Sequence, residues 1–596
     1  MSVIHAPREA PNDLRSLLVV GVIGLVLLSY ALRLWYVQVV ESPSLAEAAE
    51  SSSKIEVASL APRGQILSRE GLVVAAAAPT AALMARPKTA LQDEAVLERV
   101  ASAVGIDAKR LKRKILEHQV KGDLEVPVLV GLSPQAASWV VERRDALPGF
   151  NAATIPMRTY RDPVALSHIL GYTGVPSERD LERLDQLGVT AAAYIGKDGL
   201  ERTYEKDLMG QPGIASIRVD ARRKPVATVS EEAATPGNGL VLGMSLKLQQ
   251  YAMTKLAGRR GAIVALDPKT GDVLAMTSAP AFDASAFLGG ISQSDYSALR
   301  DDPAKPLFHR AIGASYAPGS TFKIVTTLAA YRAGVFDPNW AASCRGYLQV
   351  GTKRFKCLGH HGAITFERAM TKSCNSYFAA LAIKAGPEAL LETCAELGMG
   401  SKIGLDLPGE AAGLIPTAEW WAKHRDRRFS LGDSANFGVG QGELACTPLQ
   451  MACMMMTVAN RGTRYQPRLV RALQGPREGD RPQIVPPQVA GTIEGDERLW
   501  SLLQSALRNV VTSGTARSAN LPGFEVSGKT GSAENSLSRE THSWFVCYAP
   551  QDDPKIAMAV VVENAGHGGE IAAPIAGQVV RYYLDGLKSK PDKNEE

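Results

Sequence analysis

One apolar segment near the start of the chain restricts its fold more than any other feature. Residues 16–32, SLLVVGVIGLVLLSYAL, contain no charge, and after Arg33 the chain is apolar again over residues 34–40. A helix needs about 20 apolar residues to cross a bilayer. Arg33 can extend its charged end to the interface, which the aromatic pair after it also favours. We therefore predict a transmembrane anchor over residues 16–40 and a cytoplasmic tail over residues 1–15.

A cleaved signal peptide is the alternative interpretation of this segment. Cleavage needs small residues after the apolar run, whereas RLWYVQVV supplies bulky ones. We therefore expect an uncleaved, single-pass protein of the cytoplasmic (inner) membrane. The rest of the chain is placed outside the cytoplasm, in the periplasm, mostly because of the catalytic motifs described below.

The length of 596 residues predicts more than one folding unit after the anchor. Short apolar runs and turns fill residues 41–235, and the VSEEAATPGNG segment at their end has the composition of a linker. A second domain is expected over residues 240–588, followed by a disordered charged tail over residues 589–596. The net charge of +5 is small, and basic blocks interleaved with aromatics are lacking, so nucleic acid is not an expected partner.

The segment SYAPGSTFKIVTTLAA, residues 315–330, contains a Ser-x-x-Lys pair. A serine hydroxyl needs a base to become a nucleophile, and Lys323 would stand one helical turn beyond Ser320. The N–H groups of a helix N-terminus also suit a developing oxyanion. The alternative is an N-capping serine followed by a solvated lysine. The spacing alone is a weak signal, because Ser51 and Lys54 repeat it.

Two further elements strengthen the assignment of a nucleophile. Penicillin-binding proteins and class A β-lactamases combine Ser-x-x-Lys with a Ser-x-Asn type element and a Lys-Thr-Gly. Here TKSCNSYF supplies Ser373 and Asn375, and EVSGKTGSAE supplies Lys529, Thr530 and Gly531. The three elements follow one another in the expected order.

Other copies of these short patterns are separated by their context. The Ser-x-Asn pattern occurs twice more, both times as SAN. A second KTG lies in AIVALDPKTGDVLAM, where its flanking residues indicate a hairpin turn. The copy with Lys529 precedes two strand-like runs, THSWFVCYAP and KIAMAVVVEN. We predict that Lys529 lies on an edge strand lining a cleft.

With these elements the chain resembles the class B penicillin-binding proteins, the membrane-anchored transpeptidases that cross-link peptidoglycan. APRGQILSREGLVVA resembles the first motif of their pedestal domain, although Ser68 stands where aspartate is usual. YRDPVALSHILGYTG and GKDGLERTYEKDLMGQPG resemble the second and third pedestal motifs, and FGVGQGELACTPLQMA resembles their glycine-rich segment. The approach to the nucleophile and the Cys/His insert are most like the elongation-specific penicillin-binding protein two. Septal and other specialised paralogues stay alternatives.

The resemblance implies an α/β (α+β) protein with one transmembrane helix, a mixed pedestal domain of the dimerisation type, and a transpeptidase domain. The last has a central antiparallel sheet flanked by helices. The implied activity is that of a serine-type D-Ala-D-Ala transpeptidase in cell elongation and cell-wall biogenesis, inhibited by β-lactams and hence an antibiotic target. No cofactor is expected for catalysis.

The resemblance also implies the roles of the site residues. Ser320 forms the acyl-enzyme and Lys323 is its base. Ser373 relays a proton to the leaving amine, and Asn375 holds the substrate amide.

The third element completes this implied site. Lys529 supplies positive potential and Thr530 binds the substrate's terminal carboxylate. The backbone N–H groups of Ser320 and Ser532 form the oxyanion hole, with Gly531 between the substrate-binding residues.

Three other functions would use parts of the same sequence pattern. A secreted β-lactamase is normally shorter and has no pedestal. A β-lactam sensor of the STFK type would bring a metalloprotease partner, but the chain has no His-Glu-x-x-His and one spanning segment. A catalytically silent scaffold for a glycan polymerase is disfavoured by the intact catalytic elements. The resemblance implies that the pedestal binds a SEDS-family glycan polymerase.

The odd count of seven cysteines needs an explanation in an oxidising compartment, where thiols form disulfides, bind metal or are buried. Cys446 and Cys453, seven residues apart, are expected on one face of a core helix. Cys394 and Cys547 are expected to be packing residues because their neighbours are apolar.

The remaining cysteines lie in one segment of about thirty residues together with His360 and His361. Three thiols and one imidazole suit a tetrahedral structural zinc ion. The predicted ligands are Cys344, Cys357, His361 and Cys374. His361 is preferred to His360 because a glycine follows it, as in metal-containing relatives. A Cys344–Cys357 disulfide and unconnected buried thiols stay alternatives.

One further expectation concerns the pedestal motifs. Arg63, Arg69 and Glu201 each lie beside glycines that permit close approach of the backbone. We expect Arg63 or Arg69 to form an ion pair with Glu201.

Overall fold

The computed structural model describes residues 14–41, 54–117, 125–186, 194–219, 225–425, 429–477, 479–534 and 540–588. Apart from residues 14 and 15, both expected tails lie outside these ranges. The chain forms two compact units, one made of residues 1–60 with 211–235 and the other of residues 61–210 with 236–596. The domain boundaries expected from the sequence stay a prediction.

The first unit contains the apolar helix Leu14–Trp35, which continues as a wider turn over Tyr36–Val40. Among the described residues, this is the one helix long and apolar enough to cross a membrane. The unit also contains a three-stranded antiparallel sheet. Its strands are, in spatial order, Lys54–Ser59, Gly213–Val219 and Pro225–Glu232.

The second unit contains a seven-stranded mixed sheet. Its strands are Gln483–Ile484, Val470–Gln474, Gly239–Leu242, Ile66–Leu67, Val73–Ala85, Val126–Val130 and Phe150–Tyr160. The contact between Gly239–Leu242 and Ile66–Leu67 is parallel, and the other pairings are antiparallel. The sheet therefore joins strands that come before and after residues 211–235, the part of the chain that belongs to the first unit.

A five-stranded antiparallel sheet forms the centre of the second unit. Its strands are, in spatial order, Val273–Ala279, Gly261–Leu266, Ile556–Val562, Thr541–Ala549 and Ser527–Glu534. Every residue of the first three is buried, which agrees with their largely apolar sequences and requires other elements on both faces. The predicted central sheet is confirmed, and the strand with Lys529 is its edge.

Helices surround these sheets. In the second unit they are Pro87–Ala90, Glu94–Ala103, Ala108–Glu117, Pro134–Glu142, Ser167–Leu170, Glu178–Gln186, Gly199–Thr203, Glu205–Leu208, Leu246–Lys255, Gln293–Asp301, Arg310–Gly313, Lys323–Arg332, Phe366–Thr371, Asn375–Ala385, Pro387–Glu396, Ala418–Arg425, Leu431–Phe437, Pro448–Ala459, Glu497–Thr512 and Ala572–Lys588. A long hairpin, Ala342–Val350 with Lys353–Ile364, carries part of the Cys/His insert. Two-residue strands Thr173–Gly174 and Ile195–Gly196 pair, as do Thr463–Tyr465 and Val489–Thr492.

The helix Pro448–Ala459 is buried along its whole length and packs against the central sheet. Thr447 and Gln450 close a capping box at its start, which satisfies two backbone N–H groups. The expectation that Cys446 and Cys453 share a helix face was wrong. Cys446 precedes the helix because its backbone pairs with Tyr316, although both thiols are buried as expected. Cys394 and Cys547 are also buried.

A buried ion cluster links the pedestal motifs. Arg63 Nε donates to Glu201 at 2.5 Å, and Arg158 Nε donates to the other oxygen of Glu201 at 2.6 Å. Arg63 also donates to Glu205 at 2.9 Å. The predicted Arg63–Glu201 pair is confirmed. Arg69 instead forms an ion pair with Asp267 at 3.2 Å. Glu205 and Arg158 were not anticipated.

Candidate active site

The candidate nucleophile lies in a tight turn. Ser320 belongs to the 3-10 turn Gly319–Phe322, which leads directly into the helix Lys323–Arg332. Gly319 has a φ of +56°, a conformation that favours glycine. No side chain caps the start of this turn or of the helix. The alternative role of Ser320 as an N-cap is therefore not supported.

The Lys323 amine is fully buried and held by three hydrogen bonds. It donates to Asn375 Oδ1 at 2.7 Å, to Ser373 O at 2.8 Å and to Ser373 Oγ at 3.0 Å. Burial lowers the pKa of Lys323 to about 7, while the nearby thiols of Cys357 and Cys374 act in the opposite direction. An amine with this pKa is partly neutral at neutral pH and can accept a proton.

Ser373 lies where the catalytic elements meet. Its hydroxyl also accepts a hydrogen bond from Lys529 Nζ at 3.0 Å, so two lysine amines meet at one oxygen. Burial and the charge of Lys323 hold the pKa of Lys529 well below its ordinary value. Ser373 has a φ of +55°, which is uncommon outside glycine and costs about 1–3 kcal/mol. Such strain is typical of functional sites.

Within the described residues, no hydrogen bond joins the Ser320 hydroxyl to the Lys323 amine. The amine must exchange one of its bonds to Ser373 or Asn375 for the Ser320 hydroxyl before it can act as a base. Catalytic hydrogen bonds in substrate-free enzymes are often longer than in the reacting complex, so this geometry is compatible with the role.

The edge strand Ser527–Glu534 carries the third element and pairs with Thr541–Ala549. Side chains alternate between the faces of a strand. Lys529 therefore points to one face, toward Ser373, whereas Thr530 and Ser532 share the other face.

Two glycines let the nucleophile turn contact this strand. A Cβ at Gly531 would lie 2.8 Å from Pro318 O, and a Cβ at Gly319 would lie 2.7 Å from Ser532 O. Both distances are shorter than side-chain atoms tolerate. The backbones that carry the N–H groups of Ser320 and Ser532 are thus brought side by side.

Several residues that support the turn were missed by sequence reasoning. Trp544 Nε1 donates to Ala317 O at 3.1 Å, and the Tyr316 hydroxyl donates to Glu563 at 2.8 Å. A buried tryptophan in an apolar strand was the available signal for the first contact. The second joins residues that are 247 positions apart, for which the sequence offered no signal.

The glycine-rich segment also reaches the turn. Gly319 N donates to Gly440 O at 2.9 Å, and Gln441 Nε2 donates to Ser532 O at 3.4 Å. The sequence indicated this segment as a family motif but assigned no residue of it to the site.

The Cys/His insert brings four potential metal ligands together. The ligand atoms of Cys344, Cys357, His361 and Cys374 all lie within 4.8 Å of one another. His361 Nδ1 is 3.4 Å from Cys344 Sγ and 3.6 Å from Cys357 Sγ, and Cys357 Sγ is 3.8 Å from Cys374 Sγ. His360 is not a member of the cluster. All seven cysteines are free, so the alternative Cys344–Cys357 disulfide is not formed.

Comparison with known proteins gives consistent matches. The model of the penicillin-binding protein transpeptidase domain matches residues 261–581, and that of the penicillin-binding protein dimerisation domain matches residues 58–242. The peptidoglycan D,D-transpeptidase MrdA of Acinetobacter baumannii is 32% identical over 597 residues, which cover 96% of this chain and 88% of the relative.

Two solved structures are similar over most of the chain. Pseudomonas aeruginosa PBP2 in complex with WCK 5153 is 29% identical with a TM-score of 0.67, covering 91% of this chain and 100% of the other. A structure described as the structural coordination of polymerization and crosslinking by a peptidoglycan synthase complex is 28% identical with a TM-score of 0.70. It covers 98% of this chain and 100% of the other.

Proposed function

Since this chain belongs to the penicillin-binding protein transpeptidase family, we propose that it is a peptidoglycan D,D-transpeptidase of cell elongation that acts through a serine acyl-enzyme. The observation that carries this proposal is the meeting of the Lys323 and Lys529 amines at the Ser373 hydroxyl, beside the turn that holds Ser320. This arrangement supplies a nucleophile, a base of suitable pKa and a proton relay. β-Lactams, which resemble the D-Ala-D-Ala end of the substrate, would acylate the same serine.

Acylation begins when Lys323, in its neutral form, takes the proton of the Ser320 hydroxyl. The Ser320 oxygen then bonds to the carbonyl carbon of the penultimate D-alanine. The N–H groups of Ser320 and Ser532 stabilise the oxyanion that forms. The bond to the terminal D-alanine nitrogen breaks as Ser373 passes a proton to it, and D-alanine leaves.

The second half of the reaction reverses these proton movements. The amine of a second stem peptide attacks the ester carbonyl, loses a proton to the same relay, and forms the cross-link. The Ser320 hydroxyl is restored. Asn375 holds the peptide amide of the substrate, Lys529 donates a hydrogen bond to the Ser373 hydroxyl of the relay, and Thr530 receives the terminal carboxylate.

A fluorescent penicillin tests this function directly. The wild-type protein should be labelled stably, and peptide mapping should place the adduct on Ser320. Ser320→Ala should abolish labelling and leave the fold intact, because the hydroxyl makes no capping hydrogen bond. An unlabelled wild-type protein would support a silent scaffold, and rapid loss of label would indicate a β-lactamase.

We propose further that the Cys/His cluster holds a structural zinc ion through Cys344, Cys357, His361 and Cys374. A zinc tetrahedron with metal–sulfur bonds of about 2.3 Å has sulfur–sulfur edges of about 3.8 Å and slightly shorter sulfur–nitrogen edges. Three of the six separations between these ligand atoms, at 3.4, 3.6 and 3.8 Å, fit that geometry, and all six lie within 4.8 Å. Zinc supplies a cross-link here and takes no part in the reaction.

The zinc site would brace the catalytic element. Cys374 lies between Ser373 and Asn375, and the Asn375 N–H donates to Cys357 Sγ at 3.3 Å. The side-chain amide of Asn375 also donates, through Nδ2, to Lys356 O at 3.1 Å. Elemental analysis should find about one zinc ion per wild-type chain and much less in Cys344→Ser. A metal-free wild-type protein would contradict this proposal.

The apolar helix is proposed to anchor the protein in the cytoplasmic membrane with the catalytic unit in the periplasm, where peptidoglycan is assembled. A reporter enzyme active only in the periplasm, fused to the C-terminus, should be active. The same fusion made with an enzyme active only in the cytoplasm should be silent, and the reverse pattern would refute the orientation.

A SEDS-family glycan polymerase is the proposed partner of residues 41–235. Two observations support it: the match of the dimerisation-domain model to residues 58–242, and the similarity to a structure described as a peptidoglycan synthase complex. Co-purification with the polymerase should be lost when residues 41–235 are deleted. Binding that survives this deletion, and is lost on deletion of the transpeptidase domain, would refute the proposal.

A further inference from the structure

The face of the edge strand opposite Lys529 carries two hydroxyls, those of Thr530 and Ser532. The Thr530 hydroxyl lies 2.6 Å from the Thr515 hydroxyl. Ser532 Oγ lies 3.4 Å from His567 Nδ1 and accepts a hydrogen bond from Gly568 N at 3.4 Å. Within the described part of the chain, neither hydroxyl has a lysine or arginine as its hydrogen-bond partner. A carboxylate bound between these hydroxyls would lie beside the His567 imidazole.

Lys529 is directed away from this face. Its amine is buried and donates to Ser373 Oγ and to Thr530 O, both at 3.0 Å. These bonds direct its donor hydrogens toward the proton relay. A substrate carboxylate beside Thr530 and Ser532 would thus need another partner for its remaining lone pairs.

The loop that carries His567 is held tightly against the strands. The N–H groups of residues 565–566 both donate to Thr541 O at 3.0 Å, and Ser543 Oγ donates to His567 O at 3.2 Å. A Cβ at Gly568 would come within 2.2 Å of a strand carbonyl, so the close packing requires glycine here. The His567 ring is exposed although its backbone is fixed. The fold thus fixes the backbone from which this ring extends beside Ser532.

We propose that His567 binds the terminal carboxylate of the donor stem peptide, together with Thr530 and Ser532. The proposal rests on the transpeptidase function proposed above and specifies how that site recognises a free D-alanine carboxylate. An imidazole offers an N–H donor in its neutral form and two donors in its charged form, so it can bind a carboxylate in either state. The ring nitrogen lies beside the Ser532 hydroxyl, on the strand face that Ser532 shares with Thr530, so it would contact the carboxylate bound there.

A pair of acyl donors tests this role. N-benzoyl-D-alanyl-thioglycolate carries a carboxylate where the substrate's terminal D-alanine does, and its carboxamide analogue lacks that charge. For His567→Ala we expect kcat/KM to fall about 10-fold or more with the carboxylate donor, mostly through KM, because a hydrogen bond to a charged group is lost. With the carboxamide donor the same variant should stay within about 2-fold of wild type. His567→Gln should recover part of the loss.

His424 offers a matched control. It is an exposed histidine whose ring stacks on Trp420 and bonds to the Trp420 carbonyl. His424→Ala should leave kcat/KM unchanged for both donors.

The ratio of the two donors within one variant separates recognition from folding, because a misfolded enzyme loses both activities. Equal losses with both donors, or no loss with either, would overturn the proposal. A His567→Ala enzyme that acylates normally but transfers poorly to an acceptor amine would also overturn it, since the ring would then serve the second stem peptide. If wild-type protein forms no adduct on Ser320 with either donor, the transpeptidase function itself fails.

Discussion

The burial of Lys323 predicts how acylation depends on pH. The pKa of this lysine is lowered from 10.5 to about 7, chiefly by burial. The difference corresponds to about 5 kcal/mol of discrimination against the charged amine. Since only the neutral amine can take the proton of Ser320, acylation should rise with pH through the folded-state pKa.

The size of the effect follows from the neutral fraction of the amine. With a pKa of about 7, that fraction is about 1% at pH 5, about one half at pH 7 and about 90% at pH 8. The second-order rate of acylation should therefore increase about 50-fold between pH 5 and pH 7 and level off above pH 8. A lysine with an ordinary pKa would instead give a rate that still increases about tenfold per pH unit near pH 9.

The assay is the initial rate of labelling by a fluorescent penicillin between pH 5 and pH 9, with circular dichroism to confirm folding at each pH. Lys323→Met removes the base without adding charge and should be unlabelled across the range. A flat profile, or one that rises without levelling up to pH 9, would refute the reasoning. So would normal labelling of the Lys323→Met variant.

Three further predictions follow from the packing. Glu201→Gln should lower the free energy of unfolding by about 3–5 kcal/mol in urea titration, because the buried Arg158 guanidinium loses its charged partner and Arg63 keeps only Glu205. Glu392→Gln, at an exposed pair, should cost less than about 1 kcal/mol, and equal costs would contradict this account. Gly531→Ala should slow penicillin acylation at least about 100-fold, since its Cβ would push the nucleophile turn aside. Gly432→Ala, the control, should leave the acylation rate unchanged. Chelation by 1,10-phenanthroline should lower the melting temperature and the acylation rate together, and a stable, active protein after chelation would rule out a structural metal.

The sequence by itself determined the features that depend on local pattern. The apolar segment over residues 16–40 was correctly predicted as a long apolar helix, and the runs that contain GAIVAL and IAMAVVV were correctly predicted as strands. Lys529 was correctly placed on an edge strand because apolar strands follow it directly. Each of these features is decided by neighbours in sequence, through backbone hydrogen bonding and the burial of adjacent side chains.

The tertiary structure decided which residues from distant segments come into contact. The Ser373 hydroxyl meets amines 50 and 156 residues away, and its left-handed backbone angle is stabilised only by that packing. The sequence placed Cys446 on a helix, whereas its backbone pairs with Tyr316 and the helix begins only at Pro448. Ion partners such as Glu205 look in sequence like ordinary surface charges. Their burial, and the lowered pKa of Lys323, arise only when separate segments exclude water from the same volume.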